Sequence, residues 1–357
     1  MFQRQWFSGR SQVGLLEEAL LVKKYFEAER YDLAEEIILR HCTKHKSYWR
    51  RQYKRLFHLR RRKIIEAALG PQPIRLYFSS FWPQMIPEDC QLLDFIHAAI
   101  PDKLIEVVTD PRNADITLFT CYGDLKGLNE SEQSLRLLFL GENVRPSFEY
   151  FDISLSSDQS EYCGRNAYLP LWILEIDWFG KQYSDRATYP LSLFTNDRCI
   201  SRAGRSNDIV YVGNNNEPHR MSMLTTLAQE GFRISRFGQQ SRPVIDKIEL
   251  YRNYNISFCP ENSYYPGYVT EKLIHSYLAG CKAIYWGCLD DQPFRNHPMI
   301  IMAKTNDTKL DLVKRISQEV DGLGNSDSQY PRLADHESII APYNRAVSFL
   351  ARELSIF

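Results

Sequence analysis

No run of 18 or more apolar residues occurs in the 357-residue chain, so no segment reads as a membrane-spanning helix. The opening stretch MFQRQWFSGRSQVG has no apolar core, and no secretory signal is visible. The eight cysteines are scattered, with no C-x-x-C pair and no knot-like spacing. They read as reduced, mostly buried thiols of a cytosolic protein, which leaves the N-x-S/T triplets at Asn129, Asn255 and Asn306 without meaning. No G-x-G-x-x-G and no G-x-x-x-x-G-K-[ST] is present, which excludes nicotinamide-type dehydrogenases and P-loop nucleotidases. H-E-x-x-H and G-x-S-x-G are absent too. The missing D-x-D weighs against a nucleotide diphosphate held through a metal. His41 and His45, with Cys42, have ligand spacing, yet in so basic a segment they read as surface residues, and no metal is expected.

A hydrophobic share of 44% and a charged share of 25% are those of a folded globular chain with ample core material. Aromatics reach 13%, and such rings serve sugar or base binding as well as ordinary cores. The formal charge is zero, but residues 1–70 carry 16 Lys and Arg against 8 Asp and Glu. A basic head therefore sits on an acidic body. Residues 15–42 read as a helical hairpin with a break near Glu29–Asp32, similar to one tetratricopeptide unit. Such a unit needs something to pack on. Lys44–Lys63 holds ten Lys or Arg and no acid, interleaved with Tyr48, Trp49, Tyr53, Leu56 and Phe57. Three readings are open for it: a helix on an anionic membrane surface, a nucleic-acid patch, or a basic helix docking on the acidic body.

After Gly70-Pro71-Gln72-Pro73 the pattern becomes alternating strands and helices. Strands are expected at 74–82, 104–108, 114–120, 135–143 and 152–156, with a helix at 89–100. A loop-rich stretch covers 157–207. Strands then recur at 208–215, 232–238, 254–263, 281–287 and 299–303, with helices at 218–230, 244–252, 269–279 and 308–320. Two α/β units follow, and ligands in such sheets sit at the carboxyl ends of the strands. The division is a basic helical extension 1–70, a first domain 71–190, a second domain 191–340 and a C-terminal helix 341–357.

Three stretches carry candidate chemistry. In Cys259–Gly287 a strand ends in a polar turn and Tyr268–Lys272 opens a helix. A helix start and the Lys272 ammonium suit a phosphate, and Glu261 and Asn262 suit sugar hydroxyls. Asn262, Ser263, Pro266 and Gly267 are also what a purely structural turn needs. In 210–224 a strand runs into Gly213-Asn214-Asn215-Asn216, and Arg220 falls in the first turn of the next helix, where Arg and Lys together can neutralise a pyrophosphate. An exposed Arg at a helix start is the plain alternative. In 139–152, Glu142 follows an apolar strand and is placed to act as a general base, although most strand-end glutamates have no such role.

Together these stretches resemble the α1,3/4-fucosyltransferases, which transfer fucose from GDP-fucose with inversion. The resemblance rests on Pro260-Glu261-Asn262-Ser263, Tyr268-Val269-Thr270-Glu271-Lys272 and Ile284-Tyr285-Trp286-Gly287, with Gly141-Glu142-Asn143 in the first unit and an Asn-to-Arg pattern ending at Arg220. It spans roughly 74–320 and leaves the head without a counterpart. It implies the GT-B fold, two Rossmann-like domains facing a cleft. It implies Glu142 as catalytic base, and Asn214, Arg220, Glu261, Asn262, Tyr268, Thr270, Glu271 and Lys272 at the GDP-fucose site, with no cofactor or metal required. Pro260 replaces a Phe, the loop at Phe237-Gly238-Gln239-Gln240 is less glycine-rich, and Cys281-Lys282-Ala283 replaces a small-residue-x-Pro sequence.

The expected reaction is attack of an acceptor sugar hydroxyl on the fucose anomeric carbon. Glu142 takes the proton, and Arg220 with Lys272 steadies the departing GDP. The acceptor is expected to be a GlcNAc-type sugar of a bacterial surface glycan, free or lipid-linked as in lipopolysaccharide, and the linkage α1,3. The protein is expected in the cytoplasm, with 44–63 on the inner face of the inner membrane, and nucleic acid is not an expected partner. Two other readings stay open: a GT-B transferase for another nucleotide sugar, and a non-catalytic glycan-binding or scaffold protein.

Overall fold

The computed structural model describes residues 12–28, 30–41, 46–122, 127–213, 217–238, 242–303, 309–321 and 328–357. Three helices form the head: α1 (Gln12–Glu27), α2 (Tyr31–His41) and α3 (Lys46–Leu69). Val22, Ala34, Ile37, Ile38, Trp49 and Leu56 close a small core between them. Three such residues from α2 lie at i, i+3 and i+4, the spacing that puts them on one face.

The first sheet has β1 (Ile74–Ser79), β2 (Ile105–Val107), β3 (Ile116–Phe119), β4 (Leu135–Leu140), β5 (Ile153–Ser156) and β6 (Asn166–Tyr168), in the order β2-β1-β3-β4-β5-β6, all parallel. Helix α4 (Gln91–Ala99) crosses between β1 and β2, and α5 (Gly127–Glu130) precedes β4. Strands β3, β4 and β5 are buried at every position, as parallel strands covered on both faces must be.

The stretch expected to be loop-rich holds short elements: β7 (Ile176–Asp177), β8 (Tyr189–Pro190), α6 (Ser192–Thr195) and β9 (Arg198–Ile200). A second parallel sheet follows, with β10 (Ser206–Val212), β11 (Ile234–Phe237), β12 (Tyr254–Pro260), β13 (Lys282–Trp286) and β14 (Ile300–Met302) in the order β11-β10-β12-β13-β14. Its crossovers run through α7 (Pro218–Gln229), α8 (Lys247–Tyr251) and α9 (Glu271–Ala279), with α10 (Lys309–Asp321) after β14. Strand β15 (Ser328–Tyr330) pairs antiparallel with β9. The last helix, α11 (His336–Leu354), starts five residues earlier than the sequence pattern suggested, because the Asp335 carboxylate caps the Ser338 amide at 2.8 Å. It returns to the first sheet and packs against α4 and β6.

One apolar core runs through both sheets and α11, from Ile74 and Phe95 to Tyr285 and Leu350. The two halves are therefore joined by packed side chains as well as by chain. Trp172, fully buried between them, donates to Gln292 Oε1 at 2.9 Å, and Gln292 donates to the Tyr168 hydroxyl at 2.7 Å.

The basic helix docks on the body. Arg51 and Arg55 reach the buried Glu353 carboxylate of α11 at 2.5 and 3.2 Å, and Lys54 reaches buried Asp152 at 2.8 Å. These three cations face inward, as the reading of a basic helix docking on the acidic body expects, and are not available to an outside anion. Arg60 is paired with Glu35 at 2.7 Å. The outward side of α3 presents Tyr53, Lys63 and Ile64, the last 71% exposed. No described helix is long and apolar enough to cross a membrane. His41 bonds Glu18 at 2.6 Å, while Cys42 and His45 lie outside the described residues. Cys90, Cys259, Cys281 and Cys288 are buried, whereas Cys163 and Cys199 are exposed.

Candidate active site

The carboxyl ends of β4 and β12 face each other, and the loops that leave them interlock. Glu142 stands two residues past β4. Its Oε2 accepts from the Tyr268 hydroxyl at 3.1 Å and from Asn262 Nδ2 at 3.4 Å, both from the second half of the chain. Its Oε1 accepts from the Tyr122 hydroxyl at 3.3 Å, from the end of β3. Next to it Asn143 donates to Ser263 Oγ, and the Arg145 guanidinium lies 3.5 Å over the Tyr265 ring. The turn 141–145 is thus clasped by 262–268 along its length.

Glycine is required where these loops touch. Gly267 has φ +86°, and a Cβ there would press on the Ser157 carbonyl and the Tyr168 ring. At Gly141 a Cβ would meet the Tyr122 hydroxyl at 3.3 Å.

Behind this contact the cations gather. Arg220, 3% exposed at the start of α7, reaches the Glu261 carbonyl at 3.4 Å and also bonds Asn262 Oδ1. Asn262 therefore links the Arg220 guanidinium to the Glu142 carboxylate. Lys272, in the first turn of α9, lies 2.9 Å from the Thr270 hydroxyl and 3.4 Å from Glu261 Oε2. Glu271 contacts Lys272 at 3.8 Å and Lys247 of α8 at 3.5 Å.

Glu261 and Thr270 are bonded to each other inside the second half. Glu261 is 0% exposed. One oxygen takes the Thr270 amide at 2.8 Å and the Tyr285 hydroxyl at 3.1 Å, and the other takes the Thr270 hydroxyl at 2.8 Å and Lys272. The helix begins at Glu271 and not at 269, and the Thr270 amide is already used by Glu261. These two residues shape the helix start and hold Lys272, so the free positive groups facing the cleft are side chains more than amides.

The protonation states follow from this packing. Burial would lower the Lys272 ammonium, but the Glu261 and Glu271 carboxylates outweigh it and raise its pKa, so it stays charged. Burial would raise Glu271, but Lys272, Lys247 and His275 overcome this and hold its carboxyl well below the usual range. Burial, then the charges of Glu142 and Glu261, push the Tyr268 phenol far up, and burial with Glu142 does the same to Tyr122. Both phenols remain hydrogen-bond donors to Glu142 at any physiological pH.

Of the residues singled out in the sequence, Glu142, Arg220, Glu261, Asn262, Tyr268, Thr270, Glu271 and Lys272 meet in this one region, and Asn214 lies outside the described residues. Tyr122, Arg145 and Lys247 were not foreseen. Nothing in their local sequence marks them, and they enter only because β3, β4, α8 and α9 are neighbours. His219, whose ring lies 4.2 Å from that of Trp286, was equally hidden. The departures at 281–283 lie at the opposite end of β13: Cys281 donates to the Tyr251 carbonyl, and Lys282 pairs with Glu319 of α10.

Residues 76–175 match the family described as Alpha-(1,3)-fucosyltransferase FucT N-terminal domain. The chain is 21% identical over 254 residues to the Alpha-(1,3)-fucosyltransferase FucT of Helicobacter pylori, an alignment covering 62% of this chain and 52% of that one. The chain spans about half the length of that curated relative. A crystal structure of an α1,3-fucosyltransferase with GDP superposes with a TM-score of 0.51 at 17% identity, covering 78% of this chain and 92% of that one. The same enzyme class with GDP-fucose gives a TM-score of 0.50 at 17% identity, over 78% and 91%. The fold is thus the GT-B architecture of two parallel sheets facing a cleft, carrying a helical head, and its first half is similar to the FucT N-terminal domain.

Proposed function

We propose that the protein is a glycosyltransferase that moves fucose from GDP-fucose to a hydroxyl of a glycan acceptor, with inversion. The observation that carries this reading is the meeting of Glu142, on the first sheet, with Arg220, on the second, through Asn262, while Lys272 stands near Arg220 in the first turn of α9. A carboxylate beside two cations across a cleft is what displacement of a nucleoside diphosphate by a hydroxyl needs. In this reading the GDP phosphates lie against Arg220 and Lys272, which share a repulsion that an anion relieves. Glu142 receives the proton of the attacking hydroxyl while the bond from the anomeric carbon to the phosphate oxygen breaks. Glu271, held ionised by Lys272 and Lys247, steadies the positive charge that develops on the fucose ring or binds its hydroxyls. The cations do the work that a metal does elsewhere, and no metal is required in this scheme. The likeness to FucT and to α1,3-fucosyltransferase structures supports fucose as the sugar.

The finer parts of the reading are an α1,3 linkage to a GlcNAc-type sugar of a bacterial surface glycan, and a cytoplasmic site of action beside the inner membrane. For the last, the outward face of α3 with Tyr53, Lys63 and Ile64 supplies the contact. Flotation with anionic vesicles tests it, and equal flotation after deletion of 1–70 rules it out. The donor is tested by melting the protein with GDP, GDP-fucose, GDP-mannose and UDP-sugars without added metal. A rise in Tm with GDP and GDP-fucose alone is expected. A rise with a UDP-sugar in their place would keep the fold and discard fucose.

A further inference from the structure

Beside Glu142 lies a run of aromatic rings that leads out of the core and that the donor reading does not use. It begins at Phe78, buried at the end of β1. The Phe81 ring stands edge-on to it at 5.2 Å, Trp82 lies 5.3 Å beyond, and Tyr122 stands edge-on to Trp82 at 5.9 Å. The far end of the run is the Tyr122 hydroxyl on Glu142. Strands β1, β3 and β4 are adjacent and parallel, so the loop at 80–84, the residue after β3 and the turn after β4 must come out at one edge. Tyr122 is 49% exposed and Trp82 is half-buried, so large apolar faces stay in water next to a carboxylate.

The backbone that presents Trp82 is held in a costly shape. Ser80 and Gln84, neither of them glycine, have φ +62° and +71° on either side of Phe81-Trp82-Pro83. The Thr120 hydroxyl pins the Ser80 carbonyl to the neighbouring strand. Left-handed non-glycine residues persist where the surroundings enforce them, and they concentrate at binding sites. The donor half has separate rings, His219 and Trp286, under the second sheet. Trp82 and Tyr122 follow β1 and β3 of the first sheet, and Tyr122 bonds the Glu142 oxygen that Tyr268 and Asn262 leave open.

We propose that Trp82 and Tyr122 border the acceptor subsite: one pyranose ring lies by its C–H face on the Trp82 platform, with Tyr122 standing edge-on beside it and the attacking hydroxyl at Glu142. This inference rests on the transferase reading above. Flat rings with polar tips suit such a ligand: the face covers the sugar's apolar side, and the Tyr122 hydroxyl, fixed on Glu142, borders the reacting oxygen. Phe81 carries no sugar contact in this arrangement and backs Trp82 against the core.

The test is a glycan array of oligosaccharides ending in hexoses or N-acetylhexosamines, probed with the full chain in the presence of GDP. The strongest glycan is then titrated against Trp82→Ala, Trp82→Leu and Trp82→Phe. Expected are a loss of about tenfold or more in affinity for Ala and Leu, and near wild-type affinity for Phe, as truncation of an aromatic anchor gives. Leucine keeps the apolar bulk without the flat face, so it remains informative if alanine unsettles the loop. Wild-type affinity in the leucine variant overturns the platform, and so does failure of the wild type to bind any glycan. The rise in Tm with GDP is read in the same samples. Its absence in the wild type would count against the donor reading while leaving the platform to the glycan data.

Discussion

The Tyr268 hydroxyl, three residues before α9 in the loop that follows β12, donates to the Glu142 carboxylate at 3.1 Å across the cleft between the two sheets. Tyr268 is wholly buried, so this bond reports how the halves are seated. It places the first sheet's carboxylate within one residue, Asn262, of the second sheet's Arg220. A carboxylate and a guanidinium contributed by different halves are thereby held together, with the clasp of 141–145 on 262–268 keeping them so.

Glu142→Gln keeps the size of the side chain and removes its capacity to take a proton. Transfer should fall by about 10²–10⁴-fold, the usual worth of a positioned base. The GDP-dependent rise in Tm should persist, since no donor contact changes. Turnover within threefold of wild type would rule out Glu142 as the base.

Lys272→Ala should abolish the response to GDP. It should also destabilise the protein, because Glu261 would keep its buried charge without its cation, a loss of roughly 3 kcal/mol. Urea unfolding measures the second effect and melting with GDP the first. A variant of unchanged stability that still responds to GDP would show that Lys272 has neither role.

The docking of the head depends on Glu353. Burial would raise its carboxyl, but Arg51 and Arg55 outweigh this and hold it below the ordinary value. A depressed carboxyl contributes stability above the unfolded value, near 4.5, and loses it as the pH falls from there toward the folded value. Glu353→Gln should cost about 3 kcal/mol at pH 7, since Arg51, Arg55 and the more exposed Arg352 all lose this carboxylate. It should also flatten the loss of stability below pH 4.5. Unfolding curves at pH 7, 5 and 3 measure both, and parallel pH dependence in the two proteins would refute the assignment.

His58 adds a second pH effect at the same junction. Buried in α3 against Phe57 and Phe357, its imidazole is pushed down to about 4 by burial. It is neutral in the fold, while the unfolded chain protonates it near 6.5. Stability therefore rises with pH from about 4 to 6.5, by about 3 kcal/mol at 1.36 kcal/mol per unit. Replacing it by leucine should remove this slope between pH 6.5 and 4.5, and a slope equal to the wild type would show that His58 is charged in the fold.

The strands were legible because they are short apolar runs between polar turns, and tertiary contact only trimmed their ends. Expected strands at 135–143 and 254–263 stop at Leu140 and Pro260, where the chain turns to put Glu142 at the cleft and Glu261 beneath it. Local sequence could not choose among the open readings of 44–63, since nothing local announces that Asp152 and Glu353, some 100 and 300 residues away, are partners of Lys54 and Arg51. Nor does it show how Glu261 is surrounded, since the Tyr285 hydroxyl that bonds it lies on the next strand.

The sequence alone determined the alternation of β and α and the two-sheet plan, because apolar period and turn chemistry are local properties, and only its resemblance to the α1,3/4-fucosyltransferases grouped Glu142, Arg220 and Lys272 as one site. Only the tertiary structure decided which of those groups point into the cleft and which are spent inside. It also decided that Tyr122 and Trp82 stand beside the carboxylate and that half of the basic helix is buried against acids. Hydrogen bonds and ion pairs act over about 3–4 Å, and only folding brings residues from such separate parts of the chain that close.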